Sequence, residues 1–182
     1  MHPIYFIMSA WVFPTSTCEA PIDDFPRQPW SALVNVIIIG MMMCRKRTPL
    51  VLSVVLFELV HLWSHTVYRP GLAVLQHFTV YPVLHYYARP GRWTRHAKLA
   101  DCLVVAFVGG IWQIYSSVAL LLTHNVQDRR VKLAVLVAVM LLANEQANCV
   151  HMLEHASLPY HVVTELALMY VLHCITKSSI RR

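Results

Sequence analysis

Six apolar stretches, set apart by basic residues and prolines, constrain this chain more than any other feature. They run through 31–44, 49–68, 71–88, 99–123, 131–144 and 158–176. Stretches near 18 residues with few charges are candidate membrane-spanning helices. A soluble all-α protein is the alternative, but its outer helices would need polar faces, and windows such as 111–123 and 131–144 have too few polar residues to supply them. Only 13% of the residues are charged, about half the share of a soluble domain. The expected fold is therefore an all-α, multi-pass transmembrane helix bundle.

The formal net charge is +6, and thirteen of the fifteen Lys and Arg fall in four clusters. These are Arg45-Lys46-Arg47; Arg89, Arg92, Arg95 and Lys98; Arg129, Arg130 and Lys132; and Lys177, Arg181 and Arg182. Basic loops at the ends of apolar segments set orientation and attract anionic headgroups. The charge therefore points to a membrane and not to nucleic acid. The five cysteines, Cys18, Cys44, Cys102, Cys149 and Cys174, are scattered. They suggest neither a disulfide framework nor a thiolate zinc site. Residues 4–13 are signal-like, although no Lys or Arg precedes them.

Prolines mark most boundaries, since proline lacks the N–H that continues a helix. Pro29-Trp30 opens the first span and Arg45 closes it; Thr48-Pro49 opens the second and Tyr68-Arg69-Pro70 ends it; the third runs to Arg89-Pro90. Residues 93–127 are either one span, giving six crossings, or two short spans meeting near Gly109-Gly110, giving seven. Seven crossings put all four basic clusters on one side, as the positive-inside rule asks. This predicts an exterior or lumenal segment over 1–29, a bundle over 30–177 and a cytosolic tail over 178–182. The membrane would be that of the ER, the Golgi or the cell surface.

An ionisable residue at bilayer depth is costly unless it is paired or faces water. Glu58, His61 and His65 are spaced to share one face of the second span. The third span carries Gln76 and His77, the sixth ends in a polar run over 144–155, and the seventh opens with His161 and Glu165 four residues apart. Imidazole and carboxylate suit zinc. The candidate ligands are His65, His77, His161 and Glu165, with His61 and Glu58 as candidate catalytic bases. Glu19, Asp23 and Asp24 are a candidate calcium group. His85, His96 and His124 are expected at solvated interfaces, and His151 and His155 read equally as loop residues. A seven-span count brings His65 and His161 to the same side of the bilayer; six would separate them.

These segments resemble the alkaline ceramidase family, seven-span metal-dependent membrane hydrolases. Cys18-Glu19 and Gln28-Pro29-Trp30-Ser31 through Asn35 resemble its N-terminal entry to the first span. His61-Leu62-Trp63-Ser64-His65-Thr66 is similar to its second motif, and Cys149, Leu158-Pro159 and His161-x-x-x-Glu165 to its third. Together these pieces cover roughly a third of the chain. Three positions depart from the pattern: His61 stands where the family has Ser, Gln76 where it has an Asp ligand, and Glu165 where it has a second His. The resemblance implies zinc-dependent hydrolysis of a lipid amide, with a membrane lipid as substrate. The other reading is a non-catalytic membrane protein that uses its polar cluster for lipid or ligand sensing or for structure.

Overall fold

The computed structural model describes residues 18–20, 22–67, 128–155 and 159–179, together with Leu72, Leu75, Thr79, Pro82, Val83 and Tyr87. It contains four long helices and, among the described residues, no strand: α1 (Pro29–Met43), α2 (Pro49–Val67), α3 (Arg129–His155) and α4 (Tyr160–Ser179). Apart from those six residues the third expected span lies outside the described residues, as do the fourth and fifth, the cluster from Arg89 to Lys98 and the stretch 4–13. The fold class is all-α. One described helix, Pro49–Val67, is long and apolar enough to cross a membrane, and Pro29–Met43 is apolar but shorter.

The helix starts follow from local chemistry. Pro29 opens α1, where its missing N–H costs nothing. The Gln28 side chain makes no cap there; the carboxylate of Glu19 does. Glu19 accepts from the backbone N–H of Trp30 at 2.8 Å, from that of Ser31 at 2.9 Å, and from the Ser31 hydroxyl. A negative group at a helix N-terminus also meets the positive end of the helix dipole. Thr48 caps α2 by accepting from Val51 N–H at 3.2 Å, and Asp128 caps α3 through Arg130 N–H at 2.9 Å.

The end of α2 is finished by the strand of chain that leads into α1. Arg27 N–H and Gln28 N–H donate to the carbonyls of Thr66 and His65, at 3.1 and 3.0 Å. These are carbonyls that a helix C-terminus leaves without partners. The start of α1 is thereby tied to the end of α2. On the other side of the bundle, Asn144 of α3 donates to the Tyr160 hydroxyl of α4 at 2.9 Å. At the far end, Arg45 donates to Thr176 Oγ1 at 2.9 Å and meets His173 Nδ1 at 2.7 Å.

α4 packs against each of the other three helices. One end of the bundle holds the starts of α1 and α4 and the later parts of α2 and α3. The opposite end holds Arg45, Lys46 and Arg47, then Arg129, Arg130 and Lys132, and Lys177. The apolar core includes Ile38 and Met42 of α1, Val54 and Phe57 of α2, Val131 of α3, and Leu172 and Ile175 of α4. Above it, toward the first end, the interior becomes polar. The outer faces do the reverse: Leu33, Val36 and Ile37 on α1, Leu52, Leu56, Leu59 and Trp63 on α2, and Leu133, Leu136 and Met140 on α3 are exposed.

Candidate metal centre

Two helical turns meet in the polar interior. α2 carries His61 and His65 four residues apart, and α4 carries His161 and Glu165 four residues apart, so each pair lies on one helix face. All four side chains are buried, and one ligand atom from each lies within 4.8 Å of every other. Glu165 Oε1 is the common point. It lies 3.0 Å from His61 Nε2, 3.4 Å from His65 Nε2 and 3.0 Å from His161 Nε2.

The far nitrogens of two of these rings are fixed by oxygen acceptors. His65 Nδ1 lies 2.7 Å from Gln28 Oε1. The Gln28 amide is itself oriented, because its Nε2 donates to the Glu19 carbonyl at 2.7 Å. His65 therefore carries its proton on Nδ1. His161 Nδ1 lies 2.7 Å from Glu145 Oε1, which also accepts from Cys18 N–H at 3.1 Å. His161 likewise donates from Nδ1. In both rings Nε2 then faces the Glu165 carboxylate, and neither Nε2 has a hydrogen-bond partner. Two such nitrogens and a carboxylate oxygen converging on one buried point could hold a cation. A metal-ligating histidine held from behind by a carboxylate or carbonyl oxygen is the usual arrangement.

Charge points the same way. Glu58, Glu145 and Glu165 are 0%, 0% and 2% exposed. Among the described residues their ion-pair partners are histidines alone. An isolated buried carboxylate costs several kcal/mol, and a divalent cation at the convergence point would offset that cost. Asn35 of α1 closes the site from the side. Its Nδ2 donates to Glu58 Oε2 at 3.1 Å and to Glu165 Oε2 at 3.3 Å, and it lies 3.3 Å from His61 Nδ1.

The structure brings together His65, His161 and Glu165, and adds His61 as a fourth member. Glu58 stays outside the four: its Oε2 is 3.9 Å from His61 Nδ1, and its contact is with Asn35. His77 and Gln76 lie outside the described residues. The calcium group does not form. Both oxygens of Glu19 are turned into the start of α1, while Asp23 and Asp24 are exposed, Asp23 beside Arg27 at 3.6 Å. The expectation of no disulfide is corrected at Cys18, which is disulfide-bonded, whereas Cys44 and Cys174 are free. Cysteine spacing carries no signal for a bridge between residues that are close only in space. The polar run 144–155 is helical to its end, with His151 exposed on it.

Sequence reasoning missed the outer partners. Gln28 stood only as part of a motif, and Glu145 was one polar residue among several. No local spacing links either of them to its histidine, because the contacts span 37 and 16 residues. Searches of protein-family models, curated proteins and solved structures find no match to this chain.

Proposed function

We propose that this chain is a membrane-embedded, zinc-dependent hydrolase that cleaves a lipid amide, a divergent relative of the alkaline ceramidases. The observation that carries the reading is the convergence of His65 Nε2, His161 Nε2 and the Glu165 carboxylate on one buried point, where neither Nε2 has a hydrogen-bond partner. Nitrogen and oxygen donors of this kind suit zinc. Bound there, zinc would polarise a carbonyl and bring the pKa of a water it holds to about 7. The protein's own part is to fix the ligands. Gln28 and Glu145 set two imidazoles in the ligating tautomer, and Asn35 restrains the Glu165 carboxylate. Phe57, tilted against His61 with ring centroids 5.4 Å apart, helps exclude bulk water.

Membrane embedding is supported by the reversed polarity of the bundle, with carboxylates and imidazoles inside and Leu, Val, Met and Trp outside. The basic residues of the described helices gather at the end away from the site, which the positive-inside rule makes cytosolic. The directions of the helices support a count of seven spans. α2 ends at the site end and α3 begins at the basic end, so the connection through 68–128 would cross the bilayer an odd number of times. That disfavours six spans. With apolar stretches over 71–88 and 99–123, three crossings there give seven. α3, at 27 residues, is about 40 Å long. The hydrocarbon layer is about 30 Å thick, so the His151 end of α3 reaches beyond it.

The test is hydrolysis by the detergent-purified protein of ceramides that vary in acyl chain. Release of fatty acid is expected with zinc bound, and its loss on chelation. Zinc retained without cleavage of any lipid amide would leave a sensing or structural role and end the hydrolase reading.

A further inference from the structure

His61 differs from the other two histidines in what lies behind it. The oxygens of Gln28 and Glu145 stand behind His65 and His161, but an amide nitrogen stands behind His61. Asn35 Nδ2 is 3.3 Å from His61 Nδ1. The orientation of this amide is set by its other neighbours. The same nitrogen faces two carboxylate oxygens, Glu58 Oε2 at 3.1 Å and Glu165 Oε2 at 3.3 Å. Rotating the amide would put its oxygen against both carboxylates. An NH2 group therefore faces His61 Nδ1, and that nitrogen presents a lone pair. The carboxylate of Glu58, at 3.9 Å, is too far to draw a proton onto Nδ1. A neutral imidazole has one proton, so in His61 it is on Nε2, 3.0 Å from Glu165 Oε1.

We infer that His61 is neither a metal ligand nor a base but a positioning residue, which donates Nε2–H to Glu165 Oε1 and leaves His65, His161 and Glu165 as the ligand set. This rests on the metal-centre reading above and deepens it. A set of two histidines and one carboxylate leaves an open position on a four-coordinate metal, as a hydrolytic zinc site requires. Four protein ligands would close it. The ring is also held in place, lying between Phe57 and His65 with centroids at 5.4 and 4.6 Å. Glu165 is gripped on both oxygens, by His61 on Oε1 and by Asn35 on Oε2. The carboxylate is thereby aimed before any metal arrives.

Nitrogen-15 spectra of histidine-labelled protein, recorded with and without zinc, test the assignment directly. In the metal-free protein His61 is expected as the Nε2–H tautomer, and His65 and His161 as Nδ1–H. Zinc should move the Nε2 signals of His65 and His161 and leave His61 protonated on Nε2. Chelator competition supplies a second readout. His61→Gln keeps an N–H near the same point, so zinc affinity should stay within about threefold. His61→Ala should weaken it by roughly 10–100-fold, the range seen when an outer partner of a ligand is lost. Nδ1–H on His61 in the metal-free protein, a zinc-shifted His61 Nε2, or His61→Gln losing zinc as completely as His65→Ala would overturn the inference. If the unmodified protein takes up no zinc, the metal reading fails, and the metal-free spectra still decide the tautomer.

Discussion

Glu145 accepts from two directions at once, from the His161 ring and from the backbone of Cys18. Its contribution is to fix which nitrogen of His161 carries the proton. Glu145→Gln keeps an acceptor oxygen but removes the charge behind the ring, and Glu145→Ala removes both. Zinc affinity measured by chelator competition should therefore fall in the order unmodified, Gln, Ala, with Ala weaker by roughly 10–100-fold. Equal affinity in all three would show that the contact does not tune the site. The inner residues were legible in the sequence because both pairs obey helical spacing: His61 with His65, and His161 with Glu165. Whether those two faces meet is a tertiary fact. The sequence supported it only through the argument that seven spans bring both to one side. Glu145 and Gln28 were not legible as partners, since nothing in a sequence says which distant acceptor completes an imidazole.

At the scale of the helices, α1 and α2 begin at the Pro-marked positions expected of them, Pro29 and Pro49. Proline acts within its own helical turn, so its signal survives folding. The cap of α1 was not legible, because Glu19 reaches the helix start from ten residues before Pro29, outside the usual capping positions. The run 144–155 interrupts the apolar pattern yet stays helical. Its polar side chains find partners: Asn144 with Tyr160 and Asn148 with Asn144. Thr48 gives a clean test of local capping, because it sits at the end of α2 away from His61 and His65. Thr48→Ala should lower unfolding stability by about 1 kcal/mol, read as a lower midpoint in thermal or denaturant unfolding. Zinc content should not change. A loss of zinc in that variant would mean that the site depends on the whole length of α2, not on its packed end.

For the whole molecule, the arrangement reads as a bundle with a polar centre near one face and a basic opposite face. If the bundle spans a bilayer, a reporter fused after Arg182 should report cytosol and a tag inserted beside Ala20 should report lumen or exterior. Both termini on one side would require an even number of crossings and would break the parity argument. The all-α class was legible from composition, because apolar length is a bulk property of each segment. The central claim concerns the meeting of α2 and α4, and metal content tests it most directly. Protein purified in detergent without chelator should carry one equivalent of zinc by elemental analysis. His65→Ala and His161→Ala should each carry almost none, and His151→Ala, altered at an exposed position on α3, should keep the full equivalent. The same metal content in all four proteins, or none in the unmodified one, would contradict the account.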